Sequence, residues 1–145
     1  MSTSALIHQH TPQLIVTDPR GLSVRSIAYQ RRSAGEPITA HTNRQVFNAN
    51  GHLRKQWDPR LLALTEVAGL PNQTTRYSLT GQVLQTESVD AGLRVFCKDS
   101  AGLLRESWDG RETHRSHHYD QFMRLVSVFE QSSTDTPQQC MEHFT

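Results

Sequence analysis

The chain has 145 residues, with 15 Lys and Arg against 14 Asp and Glu, a formal net charge of +1, and an apolar share of 35%. That share is below the roughly 45–50% usual for a globular domain on a count that includes glycine, and it is spread evenly, which argues against a deep enzyme core and against a membrane span. A balance of charge without long blocks of one sign gives no electrostatic basis for binding nucleic acid or an anionic membrane.

Residues 1–12 read as a loose polar tail. Met1–His10 has no basic start, and its only apolar run is Ala5-Leu6-Ile7, so it is not a secretory signal. The expected site of synthesis is the cytoplasm, with any export by another route. Leu14–Thr17 then predicts a strand, and Asp18-Pro19-Arg20-Gly21 a type I turn, because proline suits its second place and glycine its fourth. The returning segment, Leu22–Gln30, changes face between Val24 and Ile27, which predicts a β-bulge or a strand bend there. Arg31–His41 reads as a polar loop.

Arg44–Phe47, the turn Asn48-Ala49-Asn50-Gly51 and His52–Trp57 form the next pair. Leu61–Val67 has helical composition but is stopped by Gly69-Leu70-Pro71-Asn72, and either a short helix or a strand fits. Thr74–Tyr77 and Gln82–Val89 read as a hairpin, which Asp90-Ala91-Gly92 joins to Leu93–Cys97. Leu103–Trp108 follows Asp99-Ser100-Ala101-Gly102. Arg111–Tyr119 and Arg124–Glu130 flank Asp120-Gln121-Phe122-Met123, a turn without its glycine. It must avoid positive φ or tolerate strain at Met123. Residues 131–139 read as a polar linker, and Cys140–Thr145 as the start of a further, truncated strand. The region 13–130 is thus an array of about five antiparallel hairpins, bounded by the tail and by residues 131–145.

The turn glycines Gly21, Gly51, Gly81 and Gly102, with Met123 in the fifth place, are spaced by 30, 30, 21 and 21 residues. Steps of this size mark a repeat. Four residues before the glycine stand Phe47, Tyr77 and Tyr119. Two after it stand Leu53, Val83, Leu104 and Leu125, and six after it Ile27, Trp57, Trp108 and Phe129. Strict alternation would put the last two columns on one face. Glu87 and Lys98 break the columns. A Trp-Asp-x-Arg corner occurs twice, at Trp57–Arg60 and Trp108–Arg111. The expected repeat core is Phe47, Leu53, Trp57, Tyr77, Val83, Leu104, Trp108, Tyr119, Leu125 and Phe129, in an all-β, curved open sheet.

No constellation points to catalysis, a metal or a cofactor. Asp18, Asp58, Asp90, Asp99, Asp109 and Asp120 each sit in or beside a turn, where aspartate bonds the local backbone. His114, His117 and His118 cannot all share one face of a strand. No nucleophile elbow or phosphate-binding glycine loop is present. Cys97 and Cys140 read as free thiols. Trp57 and Trp108 would suit sugar stacking in a carbohydrate-binding or cell-surface module, although their matching places in the repeat favour packing.

Phe47-Asn48-Ala49-Asn50-Gly51-His52-Leu53, Tyr77-Ser78-Leu79-Thr80-Gly81-Gln82-Val83 and Tyr119-Asp120-Gln121-Phe122-Met123-Arg124-Leu125 resemble the YD repeat of RHS proteins. With Thr11-Pro12, Val16–Arg20 and Glu87–Gly92 in this order, residues 11–145 resemble the amino-terminal shell region of the C component of Tc insecticidal toxin complexes. The resemblance implies a shell segment without enzymatic activity. It would build, with the B component and the rest of a longer C component, a hollow RHS shell around a cytotoxic carboxy-terminal segment that this chain lacks, and would be released as part of that complex. Uncapped terminal strands imply sheet extension by the partner and self-association of the isolated chain.

Overall fold

The structure is a computed structural model and describes residues 7–64, 69–133 and 135–144. Among the described residues the elements are β-strands and one short helix. The chain divides into two compact units, Met1–Thr74 and Thr75–Thr145. The first holds β1 (Gln13–Thr17), β2 (Ser23–Gln30), β3 (Thr39–Phe47), β4 (Leu53–Trp57), α1 (Pro59–Leu64) and the start of β5 (Gln73–Tyr77). The second holds the rest of β5, then β6 (Val83–Ser88), β7 (Gly92–Lys98), β8 (Leu104–Asp109), β9 (His114–Tyr119), β10 (Leu125–Gln131) and β11 (Gln139–His143). Hydrogen-bonding order follows sequence order from β1 to β11. Neighbours run antiparallel from β1 to β5 and from β6 to β11, as short local connections dictate.

Several boundaries differ from the sequence reading. The β3 strand starts at Thr39 rather than Arg44, because Thr39–Asn43, polar as it is, pairs residue by residue with Ser26–Gln30 of β2. The ambiguous segment after Trp57 is helical over Pro59–Leu64, with Thr65, Glu66 and Val67 outside the described residues. The last apolar stretch is β11, paired with β10. The end of the expected loose tail is tied down: the Thr11 hydroxyl donates to the His8 carbonyl, and the Tyr29 N–H donates to the Pro12 carbonyl.

The two Trp-Asp-x-Arg corners use one device for different ends. The Asp58 carboxylate accepts the Leu61 N–H at 2.9 Å, which caps α1. The Asp109 carboxylate accepts the Arg111 and Thr113 N–H groups and closes a hairpin instead. Proline at the first helical position separates the two outcomes, since Pro59 is already set for a helix.

The layer is thin. Among the described residues only Trp57 and Val128 are buried apolar side chains, and no large side chain is fully buried. Trp57 is 7% exposed. Its indole N–H donates to the Gly69 carbonyl at 2.8 Å, and the Arg44 guanidinium lies 5.3 Å above its ring. Trp108 is half-buried, stacked on His114 with centroids 5.0 Å apart. Phe47, Leu53, Tyr77, Val83, Leu104, Tyr119, Leu125 and Phe129 are also half-buried, whereas Glu87 and Lys98, which break the columns, face solvent. Val128 stands one residue before the aromatic column.

Candidate assembly surface

The turns that hold the hairpins are built to one plan. In each, the residue opening the turn accepts the N–H four places on: Asp18 from Leu22, Asn48 from His52, Ser78 from Gln82, Asp99 from Leu103, Asp109 from Thr113 and Asp120 from Arg124. The residue in the fourth place takes positive φ: Gly21 at 81°, Gly51 at 82°, Gly81 at 83°, Gly102 at 84°, Glu112 at 64° and Met123 at 63°. This is a type I turn followed by a left-handed residue, a three-residue hairpin loop. Met123 therefore accepts the strain. Glu112 marks a sixth turn, missed in the glycine spacing because its fourth place is a glutamate.

Beyond four of these turns the returning strand carries an extra residue: Val24, Arg54, Arg105 and Val126 stand unopposed between paired neighbours. The expected bulge thus falls at Val24 and recurs three places after the turn residue. It also interrupts the alternation assumed to relate the second and sixth places, so those columns are not locked to one face by pleating alone.

These geometries account for the aspartates. The Asp18, Asp58, Asp99 and Asp120 carboxylates each bind one guanidinium, from Arg20, Arg60, Arg105 and Arg124, at 2.7–2.9 Å. Desolvation at Asp18 and Asp99 opposes ionisation, but backbone N–H groups and the arginines outweigh it and leave both below the usual carboxylate range. Asp58, Asp109 and Asp120 are lowered chiefly by the N–H groups of Leu61, Arg111 and Arg124. Asp90 donates its own N–H to the Ser88 hydroxyl. These carboxylates serve turns and caps.

On β9 the histidines separate by parity. His114 and His118 lie on one face, stacked on Trp108 and edge-on to Phe129, and His117 lies on the other. Among the described residues no three His, Cys, Asp or Glu side chains converge as metal ligands. Cys97 and Cys140 are exposed thiols. Pairing of Cys97 with Glu106, Glu106 with Ser116, Ser116 with Phe129 and Phe129 with Cys140 puts them in one row. Four strand spacings, about 19 Å, keep them apart.

The remaining surface of consequence is the backbone at the two ends of the strand order. Each residue of β1 is exposed, including Leu14, Ile15 and Val16, and the strand carries no charge. Each residue of β11 is exposed too. Among the described residues β1 has only β2 beside it and β11 only β10. Alternate N–H and C=O groups of both strands therefore point outward, ready to pair with another strand.

No family model matches the chain. Two toxin subunits of Yersinia entomophaga do: YenC2 is 39% identical over 97 residues, covering 63% of this chain and 9% of the relative, and YenC1 is 27% identical over 165 aligned positions, covering 95% and 17%. The chain thus spans less than a fifth of the curated relatives it matches. Among solved structures, a TcdB2–TccC3–Cdc42 complex superposes with a TM-score of 0.86 at 30% identity, over 98% of this chain and 7% of the matched one. The Tc holotoxin pore of Photorhabdus luminescens gives 0.84 at 30% identity over 96% and 7%. In sequence and in fold, the chain matches a segment of an RHS-type C component of a Tc toxin.

Proposed function

We propose that this chain is a wall segment of a toxin complex C component. Its work is structural: consecutive hairpins supply sheet, and the edges at β1 and β11 are continued by the B-type component and by the rest of a longer C component through backbone hydrogen bonds. The wall would enclose a cytotoxic segment carried elsewhere, and the segment would leave the cell as part of the complex. The observation that carries this reading is the pair of exposed terminal strands in a layer with almost no buried apolar side chains, combined with a match over nearly the whole chain to a small fraction of far longer proteins. A free-standing domain would need a core of its own. The aspartates and histidines are engaged in turns and strand packing, which supports a role without catalysis. The sugar-stacking alternative is disfavoured because Trp57 is buried and one face of Trp108 is covered by His114.

Sedimentation velocity of the purified chain, alone and with a B-type component, tests the proposal. Alone, the chain should self-associate as its concentration rises; with the B-type component it should form a defined complex instead. A folded monomer at every concentration that ignores the B-type component would refute the proposal.

A further inference from the structure

In the second unit the turns after β5, β7 and β9 all leave the sheet at the same end, because each closes an antiparallel pair in sequence order. Successive tips are two strand spacings apart, about 10 Å. The first carries Leu79, fully exposed, and the second the small residues Ser100 and Ala101. The third carries Phe122 at 69% exposure and Met123 at 62%. This rim therefore holds two apolar knobs about 19 Å apart with a low saddle between them.

The third tip is unfavourable for the isolated fold in two ways. Met123 stands at φ 63° where four sister turns have glycine, a conformation costly for a side chain with a Cβ. Its apolar side chain stays in water, so folding gains nothing from burying it. Glu112 bears the same backbone strain at the opposite rim but places a charge in solvent. The tip is also rigid. Asp120 accepts the Phe122 and Arg124 N–H groups and binds the Arg124 guanidinium at 2.7 Å, while that guanidinium lies 5.4 Å above the Phe122 ring. A strained, clamped tip with an adjacent aromatic and thioether in water has the build of a pre-organised anchor.

We propose that the Phe122–Met123 tip docks into an apolar pocket of the B-type component, with Leu79 as a second contact about 19 Å along the same rim, and that this contact is separate from the strand edges. This rests on the assembly reading above, since the occupant is the partner which that reading supplies. The solved structures that the chain superposes on hold TcdB2 together with TccC3, which favours the B-type component as the occupant, and the aromatic-plus-methionine chemistry suits a packed protein pocket.

The test compares the full chain with its Phe122→Ser, Met123→Gly and Glu112→Gly variants. Both glycine variants relieve strain and should raise Tm by about 2–8 °C. Phe122→Ser and Met123→Gly should weaken the complex with the B-type component about tenfold or more, while Glu112→Gly leaves it unchanged. A wild-type complex that both tip variants retain at full affinity would overturn the docking inference and leave the assembly reading standing. No complex from the wild-type chain would overturn both.

Discussion

Replacing Trp57 tests where the core lies. Its side chain is 7% exposed, donates a 2.8 Å hydrogen bond to the Gly69 carbonyl and carries the Arg44 guanidinium on its face. Truncating a buried tryptophan to alanine costs about 3–5 kcal/mol. The lower end is expected here, because water enters a thin layer more readily than a deep core. Trp57→Phe keeps a ring for Arg44 but loses the indole donor, worth about 0.5–1.5 kcal/mol, together with part of the packed area. Its total cost should be about 1–2 kcal/mol. Trp108 holds the equivalent place in the repeat but is half-buried, so Trp108→Ala should cost about 1–2 kcal/mol from partial burial. Urea unfolding followed by far-ultraviolet circular dichroism at constant m-value gives all three differences. Equal losses for Trp57→Ala and Trp108→Ala would refute the assignment, since burial and the Gly69 hydrogen bond would then have no energetic consequence.

Two further perturbations follow from the turns and from β9. Gly21 and Gly102 share positive φ, but a Cβ at Gly21 meets nothing within 4 Å, whereas at Gly102 it meets Gln82 Nε2 at 3.1 Å. Because that amide can swing away, Gly21→Ala and Gly102→Ala should both cost about 1–2 kcal/mol; a much larger loss at Gly102 in thermal melts would mean that Gln82 is fixed. Burial lowers the His117 pKa below its ordinary 6.5, with help from the nearby Arg115 and His118 charges and against the pull of Glu142 and of the Arg105 backbone. The neutral form is favoured in the folded state, so its stability contribution is complete above pH 6.5 and is lost as pH falls from there through the lower folded value. The turn aspartates, held below 3.8, contribute above that pH and fail only as pH drops through their folded values. Acid unfolding should therefore show a shallow early loss and a steep late one, and His117→Gln should remove only the early part; an unchanged profile would contradict this.

The turns were the legible part of the sequence. The short polar residue, two spacers and glycine recur because a type I turn with a left-handed fourth residue favours them, and to the backbone bonding expected of the aspartates the structure adds the same acceptor role for Asn48 and Ser78. Glu112 was hidden because a left-handed glutamate looks like any other glutamate in a sequence. The early start of β3 was hidden for a related reason: Thr39–Asn43 is polar, and only pairing with β2 makes it a strand. The two tryptophans show the limit of column matching. The repeat gives them the same place, but the indole at 57 has the Gly69 backbone to bind and the one at 108 has a histidine, so their burial differs. The exposed tip at Phe122 and Met123 was visible as a missing glycine, while its clamping by Arg124 required coordinates.

In the assembly proposed above, the outward backbone groups of β1 and β11 are paired by strands beyond this segment, at least one of them from the B-type component. Amide hydrogen exchange of Gln13–Thr17 and Gln139–His143, measured on the isolated chain at low concentration and again with the B-type component, tests it most directly. Alternate amides in at least one of the two strands should exchange rapidly in isolation and become strongly protected in the complex. Slow exchange of both strands in the isolated monomer, unchanged by the partner, would contradict it.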